Sequence, residues 1–60
     1  MDNWTTEQDE LAYDTFKNVA HLHGCERARK MMNNLQKMGS PIRDVDIQAW
    51  EDRYLDELDS

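Results

Sequence analysis

The sequence predicts a small all-α domain of three helices, and two features of the chain support this prediction. Apolar residues recur every three or four positions in three separate stretches, which is the period of an amphipathic helix. Gly24 and Gly39 stand at the ends of the first two stretches, and glycine just after such a run is a typical helix end. The chain has 60 residues, so we expect residues 1–60 to form a single helical domain.

The first helix is expected over residues 6–23. Thr5 followed by Gln8 is a capping-box pattern, in which each side chain bonds to the other residue's backbone N–H. Trp4 stands just before this cap, and Gly24 is expected to end the helix in the left-handed conformation. The period places six residues on the buried side: Leu11, Ala12, Phe16, Val19, Ala20 and His23.

The second helix is expected over residues 25–38. Its apolar side consists of Cys25, Ala28, Met31, Met32, Leu35 and Met38. A mostly basic stripe runs between these residues at the helical period and consists of Arg27, Lys30, Asn34 and Lys37. We therefore predict a central helix with a basic outer side, packed between two acidic helices.

The third helix is expected over about residues 45–58, after an extended or single-turn connection at residues 40–45. Pro41 disfavours a helical conformation at the residue before it, and Asp44 or Asp46 is expected to cap the next helix. Ile47, Trp50, Tyr54 and Leu58 are expected to form its apolar stripe, with Leu55 beside them.

The net charge of −6 is distributed in three blocks. Residues 1–16 contain five acids and no base, residues 17–43 six bases and one acid, and residues 44–60 seven acids and one base. These blocks either fold back and neutralise one another, or the acidic blocks present a field that selects a basic partner.

Several functional classes are disfavoured by the sequence. A chain of this size has too small a core to enclose a substrate cavity, so we do not expect an enzyme. His21, His23 and Cys25 lack a second ligand pair for zinc, and we expect no metal or cofactor. Neither a secretory signal nor an apolar run long enough to span a bilayer is present. The single cysteine does not indicate an oxidising compartment, so we expect a cytoplasmic protein.

The favoured function is that of a regulator or adaptor that binds another protein. Small, acidic chains of this kind are common among phage and plasmid accessory proteins that redirect a host protein. Exposed aromatic residues anchor many interfaces, and the acidic third helix suits a basic surface. The candidate partner-binding residues are Trp4, Tyr13, Glu51, Asp52, Tyr54, Asp56 and Glu57. A homodimer is an open alternative, because self-association would enlarge the small core.

The alternative function is helix-turn-helix-like binding of nucleic acid. The residues for it would be those of the basic stripe, Arg27, Lys30, Asn34 and Lys37, since cations bind phosphates and Asn33 or Asn34 can read adenine. The negative net charge disfavours this alternative. A stripe free of ion pairs would favour nucleic acid, whereas a neutralised stripe would favour a protein partner.

Overall fold

The structure, a computed structural model, describes residues 5–59, so Trp4 lies outside the described residues. It consists of three helices: α1 (Thr6–His23), α2 (Cys25–Lys37) and α3 (Asp44–Asp59). The predicted all-α three-helix fold is confirmed. The bounds predicted for α1 agree with the structure, α2 ends one residue earlier than predicted, and α3 extends one residue further at both ends.

A single glycine joins α1 to α2. The predicted capping box begins α1, because the Gln8 N–H donates to Thr5 Oγ1 at 3.2 Å and the Thr5 N–H donates to Gln8 Oε1 at 3.0 Å. At the other end of α1, Gly24 has a φ of 97° and a ψ of 159°. The positive φ agrees with the prediction, but this ψ belongs to an extended region that only glycine adopts readily, rather than to the left-handed helix.

The connection between α2 and α3 is held by backbone and side-chain hydrogen bonds. The Ser40 N–H donates to the Leu35 carbonyl and the Gly39 N–H to the Gln36 carbonyl, both at 3.0 Å. These two bonds form a Schellman motif, which uses carbonyls that the end of α2 would otherwise leave unpaired. The Gln36 side-chain amide then donates to the Ile42 carbonyl at 2.9 Å, which fixes the path of the connection.

The start of α3 uses one of the two predicted capping aspartates. Asp46 accepts a hydrogen bond from the Arg43 backbone N–H at 3.1 Å and is also paired with the Arg43 side chain. Asp46 therefore caps the helix from inside its first turn. The contact with the Arg43 guanidinium is the main reason why the pKa of Asp46 is lowered.

One hydrophobic core joins the three helices and the α2–α3 connection. Phe16 and Met32 are fully buried, and the Phe16 ring meets the Tyr54 ring edge-on, with centroids 6.4 Å apart. Among residues 5–59, the buried residues are Tyr13, Phe16, Ala20, Ala28, Met32, Ile42, Ile47, Trp50 and Tyr54. No helix within residues 5–59 is both long enough and apolar enough to cross a membrane.

The predicted buried side of α1 was partly wrong. Tyr13 is buried, whereas Leu11 is 63% exposed and His23 is also exposed. The reason is that α3 packs against the side of α1 that carries Asp9 and Tyr13, and Leu11 lies about 200° around the helix from both. The predicted apolar sides of α2 and α3 also included Met38, Leu55 and Leu58, but the structure exposes these three residues near the helix ends.

Candidate functional site

The two tyrosines that the sequence suggested as partner-binding residues are core residues. Tyr13 and Tyr54 expose only 4% and 6% of their surface. An interface anchor must reach the partner, so neither ring can have this role in the folded domain. The prediction for these two residues is corrected because both rings fill the space between α1 and α3.

Charged side chains close the seam between α1 and α3. Arg53 Nη1 donates to Glu10 Oε2 at 3.0 Å, and Arg53 Nε lies 3.5 Å from Glu57 Oε2. The guanidinium carbon of Arg53 also lies 4.1 Å from the centroid of the Tyr13 ring, which is a cation–π contact. Lys17 Nζ lies 3.5 Å from the other oxygen of Glu57. The charges along this seam therefore compensate one another.

The Tyr13 hydroxyl lies beneath this network. It is buried and makes no hydrogen bond of standard geometry. Burial raises its pKa, and the interaction with the Glu57 carboxylate raises it further. That same interaction is the main reason why the pKa of Glu57 is lowered, and Lys17 and Arg53 lower it further. Glu57 therefore stabilises the seam as a carboxylate.

The remaining acids predicted to bind a partner lie along α3. Glu51 is paired with Arg29 of α2 at 3.6 Å, and its side chain is only 15% exposed. Asp52 accepts a hydrogen bond from Gln48 at 3.1 Å on the outer side of α3, where Asp56 is also exposed. Glu51 and Glu57 thus pair with cations of α2 and α1, while Asp52 and Asp56 lie on the exposed outer side of α3.

The basic stripe of α2 is not neutralised. Arg27, Lys30, Asn34 and Lys37 are all exposed, and within residues 5–59 the three cations form no ion pair. Arg29, in contrast, reaches α3 from the opposite side of α2, about 200° around the helix from Arg27. Arg27 therefore lies on the side of α2 away from α3, whereas Lys30 and Lys37 lie about 100° and 80° around the helix from Arg29.

Beside this stripe, α1 and α2 enclose a shallow groove that α3 does not cover. We call it the open groove. Val19 and Met31 line its floor. The helical period extends this floor to Ala12, two turns from Val19, and Leu35, one turn from Met31; all four are partly buried and pack against the core. The end near the α1–α2 connection has a volume of about 520 Å³ and is bordered by His23, Arg27, Lys30 and Asn34 as well as Val19 and Met31.

The two walls of the open groove differ in chemistry. The α2 wall is basic near Arg27 and Lys30. Met38 follows Met31 by seven residues, so the helical period puts it on the same side of α2, two turns further along, and it is 80% exposed. On the α1 wall, the residues at helical spacing are the uncharged Gln8, Thr15 and Leu22. Leu22 is 74% exposed, and the Thr15 hydroxyl donates to the Leu11 carbonyl at 3.0 Å, so it is already used within the helix. The groove therefore has an apolar floor, a neutral wall and a basic wall.

The described residues contain no cluster of three or more His, Cys, Asp or Glu side chains that could hold a metal ion. Comparison of the chain with models of protein families, with curated proteins and with solved structures finds no match. Function must therefore be inferred from the charge, exposure and geometry of the described residues.

The sequence did not reveal the open groove. The helical period correctly grouped the residues of the basic stripe on one side of α2. Val19 and Met31, however, were expected only as core residues and not as the lining of a groove. The available signal was the distribution of charge on α1, where no charged residue occupies the side that carries Gln8, Thr15 and Leu22. An uncharged helix side beside a basic one indicates a surface of mixed chemistry.

Proposed function

We propose that this chain is a non-enzymatic regulator or adaptor in the cytoplasm that binds another protein through the open groove. The observation that carries the proposal is the position of unpaired cations directly beside partly exposed apolar side chains. Apolar surface at the centre with charge at the rim is the usual anatomy of a protein interface. Methionine suits such a surface because its flexible thioether adapts to different partners.

The open groove differs from the set of residues that the sequence suggested. Tyr13, Tyr54, Glu51 and Glu57 are engaged inside the domain. The open groove lies on the opposite side of the α1–α2 pair and leaves the α3 contacts intact. A partner could therefore bind without unfolding any part of the domain.

Nucleic-acid binding is the second candidate, and the unpaired state of Arg27, Lys30 and Lys37 within residues 5–59 meets the condition that the sequence analysis set for it. A free cationic stripe can contact phosphates, and the phosphate term dominates such affinities. The exposed apolar residues Leu22 and Met38 beside the stripe favour a protein instead, because a nucleic-acid backbone offers them no apolar surface. The net charge of −6 also opposes the approach of a polyanion.

Site-specific photo-crosslinking in cells that express the chain tests the proposed function. A diazirine-bearing residue placed at Met38, at the end of the open groove, is expected to yield a discrete protein adduct. The matched control places it at Val45, which is 65% exposed on α3 and should not yield that adduct. Equal adducts from both positions, or no protein adduct from Met38, would contradict the proposal.

The second candidate is tested by an amide-shift titration with mixed-sequence duplex DNA at low and at near-physiological salt. Shifts at Arg27, Lys30, Asn34 and Lys37 that persist at the higher salt would replace the protein partner with nucleic acid. No shift at low salt, where cationic surfaces bind DNA most strongly, would exclude duplex binding.

A further inference from the structure

We propose that the occupant of the open groove is an acidic amphipathic helix of the partner protein, a proposal that rests on the proposed function and specifies its partner. The partner helix would place apolar side chains on the groove floor and its carboxylates against Arg27 and Lys30. It would thereby complete a four-helix arrangement around α1 and α2.

The first argument comes from the way in which the chain uses the opposite side of the same helix pair. There α3, itself acidic and amphipathic, places Ile47, Trp50 and Tyr54 in the core. Its Glu51 pairs with Arg29 on the near side of α2 at 3.6 Å. The open groove offers a second helix the same combination of apolar floor and cations, and helices that pack in this way lie about 8–10 Å apart.

The second argument is charge complementarity. The α2 wall carries Arg27 and Lys30, which have no ion pair among residues 5–59, while the α1 wall is uncharged along the groove. A helix with carboxylates on the side that meets α2 would pair with these cations and face no acid across the α1 wall. A basic helix would instead meet like charges, which is strongly unfavourable at an interface.

A second copy of the chain fits this groove poorly. A symmetric dimer through the groove would bring two basic stripes together, and like charges would oppose each other. If α3 of another copy entered the groove, the contact would join two different surfaces, and such head-to-tail contacts form rings or filaments. In addition, the apolar side of α3 is already buried in its own core.

The test is an amide-shift titration of the isotopically labelled full chain with a designed helical peptide. The peptide has leucines at positions i, i+3, i+4 and i+7 and glutamates on one flank. We expect saturable shifts centred on Val19, Arg27, Lys30, Met31 and Asn34. A peptide of the same composition in scrambled order should bind at least about tenfold more weakly.

Matched variants locate the binding site. Leu22→Gln on the α1 wall should weaken peptide binding several-fold, while Leu58→Gln on α3 should leave it unchanged, since these leucines are 74% and 62% exposed. The combined change of Arg27 and Lys30 to glutamine should weaken binding by about tenfold, whereas Arg29→Gln should not. Equal binding of the scrambled peptide, or an equal effect of Leu58→Gln, would overturn the proposal.

The outcomes separate this inference from the proposed function. If crosslinks from Met38 capture a protein but the amphipathic peptide does not bind, the acidic helix is the wrong partner class and the proposed function stands. If Met38 yields no protein adduct and duplex DNA shifts the stripe, the proposed function fails as well. Concentration-dependent shifts of the groove residues without peptide would identify a second copy as the occupant and overturn the inference.

Discussion

On one side of the α1–α2 pair, α3 buries its aromatic residues and brings acids to the available cations. On the other side, the open groove keeps its apolar floor partly exposed and its cations unpaired. Both sides belong to the same two helices, and both offer apolar and basic side chains. The difference therefore lies in whether a third helix is present, and it separates the residues that stabilise the fold from those available to a partner.

The contrast is clearest at α2. Arg29 is paired with Glu51, while Arg27 and Lys30 have no ion pair within residues 5–59. A free cation on the surface costs the fold little, so ion pairing within the described residues does not account for Arg27 and Lys30. Substitutions on the two sides of the helix pair can test whether these cations serve the stability of the fold.

The largest loss of stability is expected from a substitution at Trp50, where α3 packs into the core. Trp50 is 3% exposed, and its indole N–H donates to Asp9 Oδ1 at 3.2 Å. Replacing a buried tryptophan with alanine costs about 3–5 kcal/mol, which is about the whole stability that such a small core supplies. We therefore expect Trp50→Ala to lose most of its helical circular dichroism at 25 °C.

Two further variants serve as controls for Trp50→Ala. Trp50→Phe keeps an aromatic ring but loses the bond to Asp9, and should lower the free energy of unfolding by about 1–2 kcal/mol. Leu22→Gln, on the wall of the open groove, should change it by less than about 0.5 kcal/mol. A folded Trp50→Ala variant with near-normal stability would mean that α3 does not hold this side of the fold together.

The helices themselves could be predicted because their signals are local. Thr5 and Gln8 specify the start of α1, and Gly24 and Gly39 specify the ends of the first two helices, without reference to distant residues. The grouping of Arg27, Lys30, Asn34 and Lys37 on one side of α2 likewise results from the helical period alone.

The unpaired state of that stripe could not be predicted, because ion pairing depends on where α3 packs. The same dependence explains the error at α1, where Tyr13 rather than Leu11 is buried. Both residues fit an amphipathic pattern, and only the position of α3 decides between them. The open groove depends on the same choice, since it is the side of the helix pair that α3 leaves uncovered.

A smaller change in stability is expected from a substitution in the charged seam between α1 and α3, and this change should depend on pH. The pKa of Glu57 is lowered from its usual value of 4.5, first by the Tyr13 hydroxyl and then by Lys17 and Arg53. A carboxylate whose pKa is lower in the folded state stabilises the fold above the unfolded pKa, and this contribution is lost as the pH falls through the folded value. Glu57→Gln should therefore lower the thermal midpoint at neutral pH.

At about pH 3, the wild-type chain and Glu57→Gln should differ less in thermal midpoint, because protonated Glu57 also lacks a charge. Lys17→Gln should show the same trend, since it removes one partner of the same carboxylate. A gap between wild type and Glu57→Gln that is constant from neutral to acidic pH would mean that the charge of Glu57 does not stabilise the seam.

The smallest effect is expected from two neighbouring substitutions on α2, and the quantity compared is the free energy of unfolding. Arg29→Gln removes the partner of Glu51, whose side chain is only 15% exposed, and should lower the free energy of unfolding by about 0.5–1 kcal/mol. Lys30→Gln makes the same change of charge on the open side and should leave the stability unchanged within about 0.3 kcal/mol, since no pair is lost. Urea unfolding of both variants, with the slope checked for agreement, measures the difference.

Added salt provides the control for the comparison of Arg29→Gln with Lys30→Gln. Screening weakens the pair between Arg29 and Glu51, so the gap in stability between the two variants should narrow as salt is added. If Lys30→Gln destabilises the domain as much as Arg29→Gln does, then Lys30 has a partner in the fold. The stripe would then belong to the structure of the domain, and the charge argument for an acidic partner helix would lose its basis.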